Sequence, residues 1–215
     1  MKEIILFDLD GTLTDPKEGI TKSYQYALSA FGIQESLDNM TTYIGPPLRE
    51  TFAERYGFSP SDVEKAVAKF REYFAETGLL QNAVYPGVPE LLQTLHGAGK
   101  TLVVATNKVA DYARRILEHF GLAGYIAFVS GDDMAGSLTK AGKREIIRIA
   151  LETIGVADKS KAVMVGDRKH DIIGAKETGI DSIGILYGYG SAEELAEAGA
   201  TYIAKDIAAL TKLLT

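Results

Sequence analysis

The sequence predicts an α/β fold: a doubly wound, Rossmann-like parallel sheet, interrupted near its start by an all-helical insertion. Three observations carry that prediction. A short apolar run ends in Asp8-Leu9-Asp10-Gly11; residues 16–80 read as helix without strand; and from Pro86 onward helical stripes alternate with short apolar runs. Strands that alternate with helices point to parallel pairing through helical crossovers.

The first strand covers about residues 3–8. Its β-branched and apolar residues suit a buried strand. Side chains alternate along a strand, so Asp8 and Asp10 leave its carboxyl end on one face. A buried strand seldom ends in paired acids, because an isolated carboxylate out of water is costly. Two like charges this close need a cation, a proton or strong donors between them. An Asx-type turn explains one acid, but not two followed by Gly11 and Thr12. Open α/β sheets bind their ligands at this carboxyl edge.

The helical insertion comes next. Ile20, Tyr24, Ala27, Leu28 and Phe31 recur at helical spacing, with Gly32 as the stop. Ser59-Pro60 opens another helix with Pro at its first position, and Val63, Ala66, Val67, Phe70 and Phe74 form its apolar stripe. Gly45-Pro46-Pro47 makes a stiff loop between helices, since Pro fixes φ. The expected division is residues 1–15 with 81–215 as the α/β core, and 16–80 as the helical domain.

Beyond the insertion the pattern predicts a helix over 88–97, a strand over 101–105, a helix over 109–120 stopped by Gly121, and a strand over 126–129. A helix over 143–154 and a strand over 162–165 come next. Then come a helix over 171–178 stopped by Gly179, a strand over 182–186, a short helix with a Ser191/Glu194 capping box, a strand over 201–203 and a final helix capped by Asp206. Parallel strands would bring Thr106-Asn107-Lys108 and the run from Gly166-Asp167 to Asp171 to the same edge as Asp8. Each cluster alone reads as a helix cap or a solvated face. Their convergence on the first acid pair is what points to a site.

Composition excludes several classes. The 215 residues, 46% hydrophobic and 24% charged, describe an ordinary globular chain. A net charge of −6 argues against general nucleic-acid binding, so any phosphate must be met by local charge. With no Cys, disulfides, thiolate catalysis and Cys-based zinc sites are excluded. His96, His119 and His170 share no ligand spacing. The chain reaches an acid too early for a signal-peptide core, and no apolar run approaches a membrane span. A soluble cytoplasmic protein without nucleic-acid or membrane partners is expected, as a monomer or weak homodimer. Residues 136–143 are no P-loop: the glycine spacing is wrong, and Arg144 stands where Ser or Thr is required.

The strand-end segments resemble the motifs of the haloacid dehalogenase superfamily of phosphatases. Asp8-Leu9-Asp10-Gly11-Thr12 resembles its first motif, Thr106 its second, Lys143 its lysine, and Gly166-Asp167 with Asp171 its acidic fourth. The insertion resembles the family's cap, and Thr14-Asp15-Pro16 with Ile44-Gly45-Pro46-Pro47-Leu48 is similar to the phosphoglycolate-phosphatase-like branch. The resemblance implies Mg²⁺-dependent hydrolysis of a small phosphorylated metabolite through an aspartyl-phosphate on Asp8. It makes Asp10 the general acid and then base, its carboxyl pKa pushed up by acidic neighbours and pulled down by the metal. Thr106 and backbone N–H groups near Asp10 and Asn107 become phosphoryl donors, and Lys143 the active-site cation, with Lys140 one turn earlier as the alternative. The metal would be held by Asp8, the Asp10 carbonyl and Asp167, with Asp171 orienting a metal-bound water or a neighbouring ligand. Gly45 and Arg49 of the cap are expected at the substrate. Lys17 and Lys108 are candidates for an anionic substrate group like Arg49, with solvated faces the favoured reading, and Arg168 and Lys169 are expected to balance charge. A phosphomutase would share these core residues, and a non-enzymatic phosphoacceptor would share the nucleophile, metal, Thr and Lys. A dehalogenase has no need of Asp10.

Overall fold

In the computed structural model, which describes residues 2–138 and 142–215, the run Ile4–Phe7 forms strand β1 at the middle of a parallel sheet. The other strands are β2 (Thr101–Val109), β3 (Phe128–Asp132), β4 (Ala162–Gly166), β5 (Asp181–Ile185) and β6 (Tyr202–Ala204). Among the described residues they make a six-stranded sheet in the order β3-β2-β1-β4-β5-β6, every pair parallel. Ile5, Leu6, Phe7, Val103, Val104, Met164 and Val165 are all buried. Continuous burial is what a sheet covered on both faces by helices requires. On one face Leu6, Val103, Ala105 and Met164 cluster with Ile146, Ile147, Ala150, Leu151 and Ala175. In chain order, α4 (Val88–Gly97) and α5 (Ala110–His119) flank β2; the first four of those partners lie on helix α6 (Lys143–Thr153) and Ala175 on helix α7 (Lys169–Thr178).

Register sets which residues leave the sheet together. Phe7 is paired with Val104 on one side and Val165 on the other. Asp8, Thr106 and Asp167 therefore emerge just past the same level of the sheet.

Local expectations shift. β2 runs to Val109 rather than ending at 105, so Thr106, Asn107 and Lys108 lie within its span and the next helix starts at Ala110. β3 starts at Phe128 rather than 126, because Ala123–Tyr125 is a 3₁₀ turn and pairing begins with the Ala127 N–H donating to the Leu102 carbonyl at 2.8 Å. Helix α7 begins at Lys169 rather than 171, with Arg168 as its cap. The Ser191 hydroxyl caps helix α8 (Ala192–Ala198) by accepting from the Glu194 N–H at 3.1 Å, but the Glu194 carboxylate turns to Arg168 instead of completing a box. Asp206 caps the last helix, α9 (Ile207–Leu214), as expected.

The contacts divide the chain into two units, Met1–Asp15 with Val84–Thr215, and Pro16–Ala83. The second crossing falls at 83/84 rather than 80/81. Gly78–Leu80 forms a 3₁₀ turn with Leu79 buried, and the Gly19 N–H donates to the Gln81 carbonyl at 2.9 Å, so this stretch stays with the helices. The second unit holds α1 (Lys17–Ser29), α2 (Leu48–Tyr56) and α3 (Pro60–Glu76). Its core centres on Tyr24, whose ring lies 5.3, 5.2 and 4.9 Å from those of Tyr43, Phe52 and Phe70. These tilted and edge-on contacts suit the ring quadrupoles. The Ser59 hydroxyl caps α3 by accepting from the Asp62 N–H at 3.3 Å. Among the described residues no helix is long and apolar enough to cross a membrane.

Candidate active site

Asp8 continues the ladder for one more bond, its N–H donating to the Val165 carbonyl at 2.9 Å. This anchors the first acid at the sheet's carboxyl edge. Its Oδ1 accepts from Lys143 Nζ at 2.8 Å, and the same ammonium lies 2.7 Å from Asp171 Oδ1, with all three residues buried. Burial pulls an ammonium's pKa down, but the Asp171 and Asp8 carboxylates outweigh it and hold Lys143 above the ordinary lysine range. Lys140, the alternative lysine, lies outside the described residues.

Asp167 comes just after β4 and is fully buried. Its Oδ2 accepts from the Tyr189 N–H at 2.8 Å and its Oδ1 from the Thr12 hydroxyl at 3.4 Å. Asp171 sits in the first turn of α7, where its Oδ2 accepts from the Arg168 N–H at 3.2 Å and leaves Oδ1 to Lys143. Asp8, Asp167 and Asp171 each offer an oxygen within 4.8 Å of the others. Burial pushes Asp167 well above the carboxylate range, with the Asp171 and Asp8 charges adding to it. Burial also lifts Asp171 to about 6, against the pull of Lys143. Lys143 pairs with two of these three buried acids, and their all-oxygen donor set suits a hard divalent cation.

Glycines make this density possible. Gly11 has φ +84°, and a Cβ there would lie 2.2 Å from Asp167 Oδ2. At Gly166 a Cβ would lie 2.3 Å from the Asp171 carboxyl carbon. Residues 187–190, Tyr-Gly-Tyr-Gly, wrap Asp167 from the far side: a Cβ on Gly188 would meet Asp167 Cβ at 2.4 Å. This segment carries no catalytic motif. Two glycines spaced by one residue just past a strand were the signal that could have found it, since such glycines often mark close backbone approach. The Tyr187 hydroxyl donates to the Thr12 carbonyl at 3.1 Å, the Tyr189 hydroxyl donates to Asp15, and Tyr85 packs edge-on against Tyr187 at 5.2 Å.

Asp10 stands apart from the three-acid group. Its Oδ2 lies 2.7 Å from Lys108 Nζ, and the two side chains are 13% and 7% exposed. Lys108 is therefore not on a solvated face, contrary to expectation. A register shift lies between Ala105 and Val109 in β2. Strand alternation cannot be carried through such an irregularity, so the side on which Lys108 falls was not countable. Asp10 Oδ1 is buried and has no hydrogen-bond partner among the described residues. Burial raises the Asp10 pKa, Lys108 opposes the rise, and Asp8 adds to it. The expected rise is present, but desolvation rather than the neighbouring acid is its largest cause.

Thr106 is buried, and its Oγ1 accepts from the Lys108 N–H at 3.2 Å. That bond occupies a lone pair and leaves the hydroxyl hydrogen to donate elsewhere. Asn107 Oδ1 is likewise buried without a partner among the described residues. Arg168 pairs with Glu194 at 2.9 Å while its charge opposes the rise at Asp167. The Lys169 N–H also donates to Glu194.

Gly45 and Arg49 belong to the helical unit. Gly45 has φ +101°. The Arg49 guanidinium is held by Glu64 through two bonds of 2.7 and 3.0 Å. Lys17, as expected of a solvated residue, is half exposed and lies 3.6 Å from an exposed Asp38 carboxylate.

A family model described as haloacid dehalogenase-like hydrolase matches residues 5–185. A 5'-nucleotidase of Pseudomonas aeruginosa is 45% identical over 211 residues, covering 98% of this chain and 94% of that protein. Tyrosine-protein kinase PtkA of Mycobacterium tuberculosis is 36% identical over 202 residues, covering 94% of this chain and 68% of that protein. The crystal structure described as a predicted phosphatase from Clostridium acetobutylicum matches with a TM-score of 0.95 at 43% identity, covering 100% of this chain and 98% of that one.

Proposed function

The chain belongs to the haloacid dehalogenase-like hydrolase family, and we propose that it is a Mg²⁺-dependent phosphatase of small phosphomonoesters working through an aspartyl-phosphate. One observation carries the reading. A buried carboxylate, Asp8, is held by Lys143 inside a three-acid group, while Asp10 keeps one buried oxygen without a partner among the described residues.

Asp8, the Asp10 carbonyl and Asp167 are the residues proposed to hold the metal, with Asp171 beside them. When bound, Mg²⁺ supplies the positive charge that lets an anionic nucleophile approach an anionic phosphoryl group. Asp8 then attacks phosphorus as the bond to the leaving oxygen breaks, and Asp10 gives its proton to the departing alkoxide. Burial favours the protonated form of Asp10, as a general acid requires. In the second half, Asp10 takes a proton from the water that attacks the aspartyl-phosphate, which frees Asp8 and releases inorganic phosphate. Thr106 donates its hydroxyl, and Lys143 presents its charge, to the phosphoryl oxygens on which negative charge is spread in the transition state.

The similarity to a 5'-nucleotidase supports nucleoside monophosphates as substrates, with phosphoglycolate and sugar phosphates as the other members of the class. Gly45, Arg49 and Asn107 are proposed as substrate contacts, and a monomer or weak homodimer acting in the cytoplasm completes the reading. The similarity to PtkA favours one second reading, transfer from Asp8 to an acceptor other than water; a phosphomutase is a case of it.

Phosphate release from an aryl phosphate, with and without Mg²⁺, tests the proposal. Turnover abolished by EDTA and lowered by about 10²–10⁴ by Asp10→Asn supports it. Transfer to an added acceptor overturns it in favour of the second reading, and stoichiometric phosphorylation without release overturns it in favour of a non-enzymatic phosphoacceptor. A panel of phosphoglycolate, sugar phosphates and nucleoside monophosphates then identifies the substrate.

A further inference from the structure

We propose that Lys108 is a positioning residue for Asp10, holding one carboxylate oxygen so that the other is presented to the substrate's leaving oxygen. The inference rests on the reading of Asp10 as general acid. Lys108 Nζ lies 2.7 Å from Asp10 Oδ2, and both side chains are largely withdrawn from solvent. Asp10 Oδ1 is buried with no partner among the described residues. A buried acceptor left unpaired is costly, because it has given up its water and gained no donor. Folding tolerates that cost at one oxygen and satisfies its neighbour 2.7 Å from an ammonium. A carboxylate tied at one oxygen cannot turn about its Cβ–Cγ bond without breaking the ion pair. The free oxygen is therefore fixed in direction.

Lys108 is itself fixed. Its N–H donates to Thr106 Oγ1 at 3.2 Å, and a Cβ on Gly131 would come within 2.7 Å of its carbonyl oxygen. The residue that aims Asp10 is thus tied to the residue proposed to bind the phosphoryl group. A general acid works only within hydrogen-bond reach of the atom it protonates, and small misplacements are expensive. A lysine side chain on an exposed face would not reach Asp10.

Leaving-group chemistry separates this role from a structural one. A p-nitrophenolate departs with little help, whereas an alkoxide needs its proton. The test compares kcat/KM, which reports the phosphorylation half-reaction, for p-nitrophenyl phosphate and for the alkyl phosphate that wild-type protein hydrolyses best. Lys108→Met is expected to lower the alkyl value roughly tenfold more than the aryl value, within the range a general acid supplies. Lys108→Arg, which keeps the charge, is expected to recover part of that ratio. Equal losses on both substrates, or no loss, overturn the assignment. So does wild-type activity confined to aryl phosphates. If Lys108→Met does not fold, Gly131→Ala, which presses on the Lys108 carbonyl, must lower the same ratio, and an unchanged ratio overturns the assignment. Wild-type protein inert toward both classes instead overturns the phosphatase reading on which this one stands.

Discussion

Gly190 lies so close to Asp167 that a Cβ on the glycine would stand 1.9 Å from the aspartate's carbonyl oxygen. The loop over 187–190 therefore sets where this acid sits, through backbone contact as well as through the Tyr189 N–H. Gly190→Ala must displace Asp167 or the loop. Overpacking of this kind costs about 1–3 kcal/mol. The expected outcome is a lower melting temperature together with weaker Mg²⁺ binding by calorimetry. An alanine variant that matches wild type in both would refute the close approach.

Lys143 neutralises Asp8 and Asp171 in a buried setting. Lys143→Met leaves those carboxylates uncompensated, and breaking a buried pair by removing one partner costs about 3–5 kcal/mol. Thermal melts of the metal-free variant should show that loss. Added Mg²⁺ should recover more stability in the variant than in wild type, because a cation then meets charge that no side chain offsets. Equal Mg²⁺ effects in both proteins would count against a shared site.

The acid cluster predicts a pH dependence for metal-free protein. Asp171 is lifted to about 6 from 3.8, mainly by burial, and Asp167 is raised in the same sense. The folded state then binds more protons than the unfolded chain between those values. The contribution of Asp171 is fully present below pH 4 and is lost as pH rises through about 6, and that of Asp167 has the same sign. Asp62, lowered by Ser59, and Glu72, lowered by Lys69, act oppositely at acid pH. The quantity to measure is therefore the melting temperature of wild type minus that of Asp171→Asn. It should fall between pH 4 and 7, and a flat difference would remove the basis for the raised value.

Asp8→Asn should abolish turnover while leaving the melting curve and circular dichroism close to wild type, since the residues match in size and Lys143 keeps Asp171 as its charged partner. Asp10→Asn should lower phosphate release by about 10²–10⁴, the range of general acid–base catalysis. Wild-type turnover in Asp8→Asn would remove it as nucleophile.

Arg49→Ala should cost less than about 1 kcal/mol, because its partner Glu64 is 59% exposed. As a proposed substrate contact, Arg49 should matter more for large phosphorylated metabolites than for p-nitrophenyl phosphate. Equal losses across the panel would exclude it from recognition.

Much of the architecture was legible because it depends on short-range backbone rules. The apolar run before Asp8, the Pro60 helix start and the glycine stops each announce an element within a few residues. Parallel pairing then implies that Asp8, Thr106 and Asp167 share an edge, and the register of Phe7 with Val104 and Val165 puts them there. Boundaries were less legible. Residues 126–127 precede β3 because a 3₁₀ turn competes with the strand, and Glu194 leaves its expected cap for Arg168.

By itself, then, the sequence determined which residues stand at strand ends, since alternation, periodicity and capping are properties of neighbouring residues. Only the tertiary structure decided that Lys108 turns in to Asp10, that Tyr189 donates its N–H to Asp167, and that Gly190 leaves room for that acid. Each is a contact between segments far apart in the chain. Such contacts are chosen by which sheet edges and loops meet and by the cost of leaving a buried charge unpaired, and no local pattern encodes that choice.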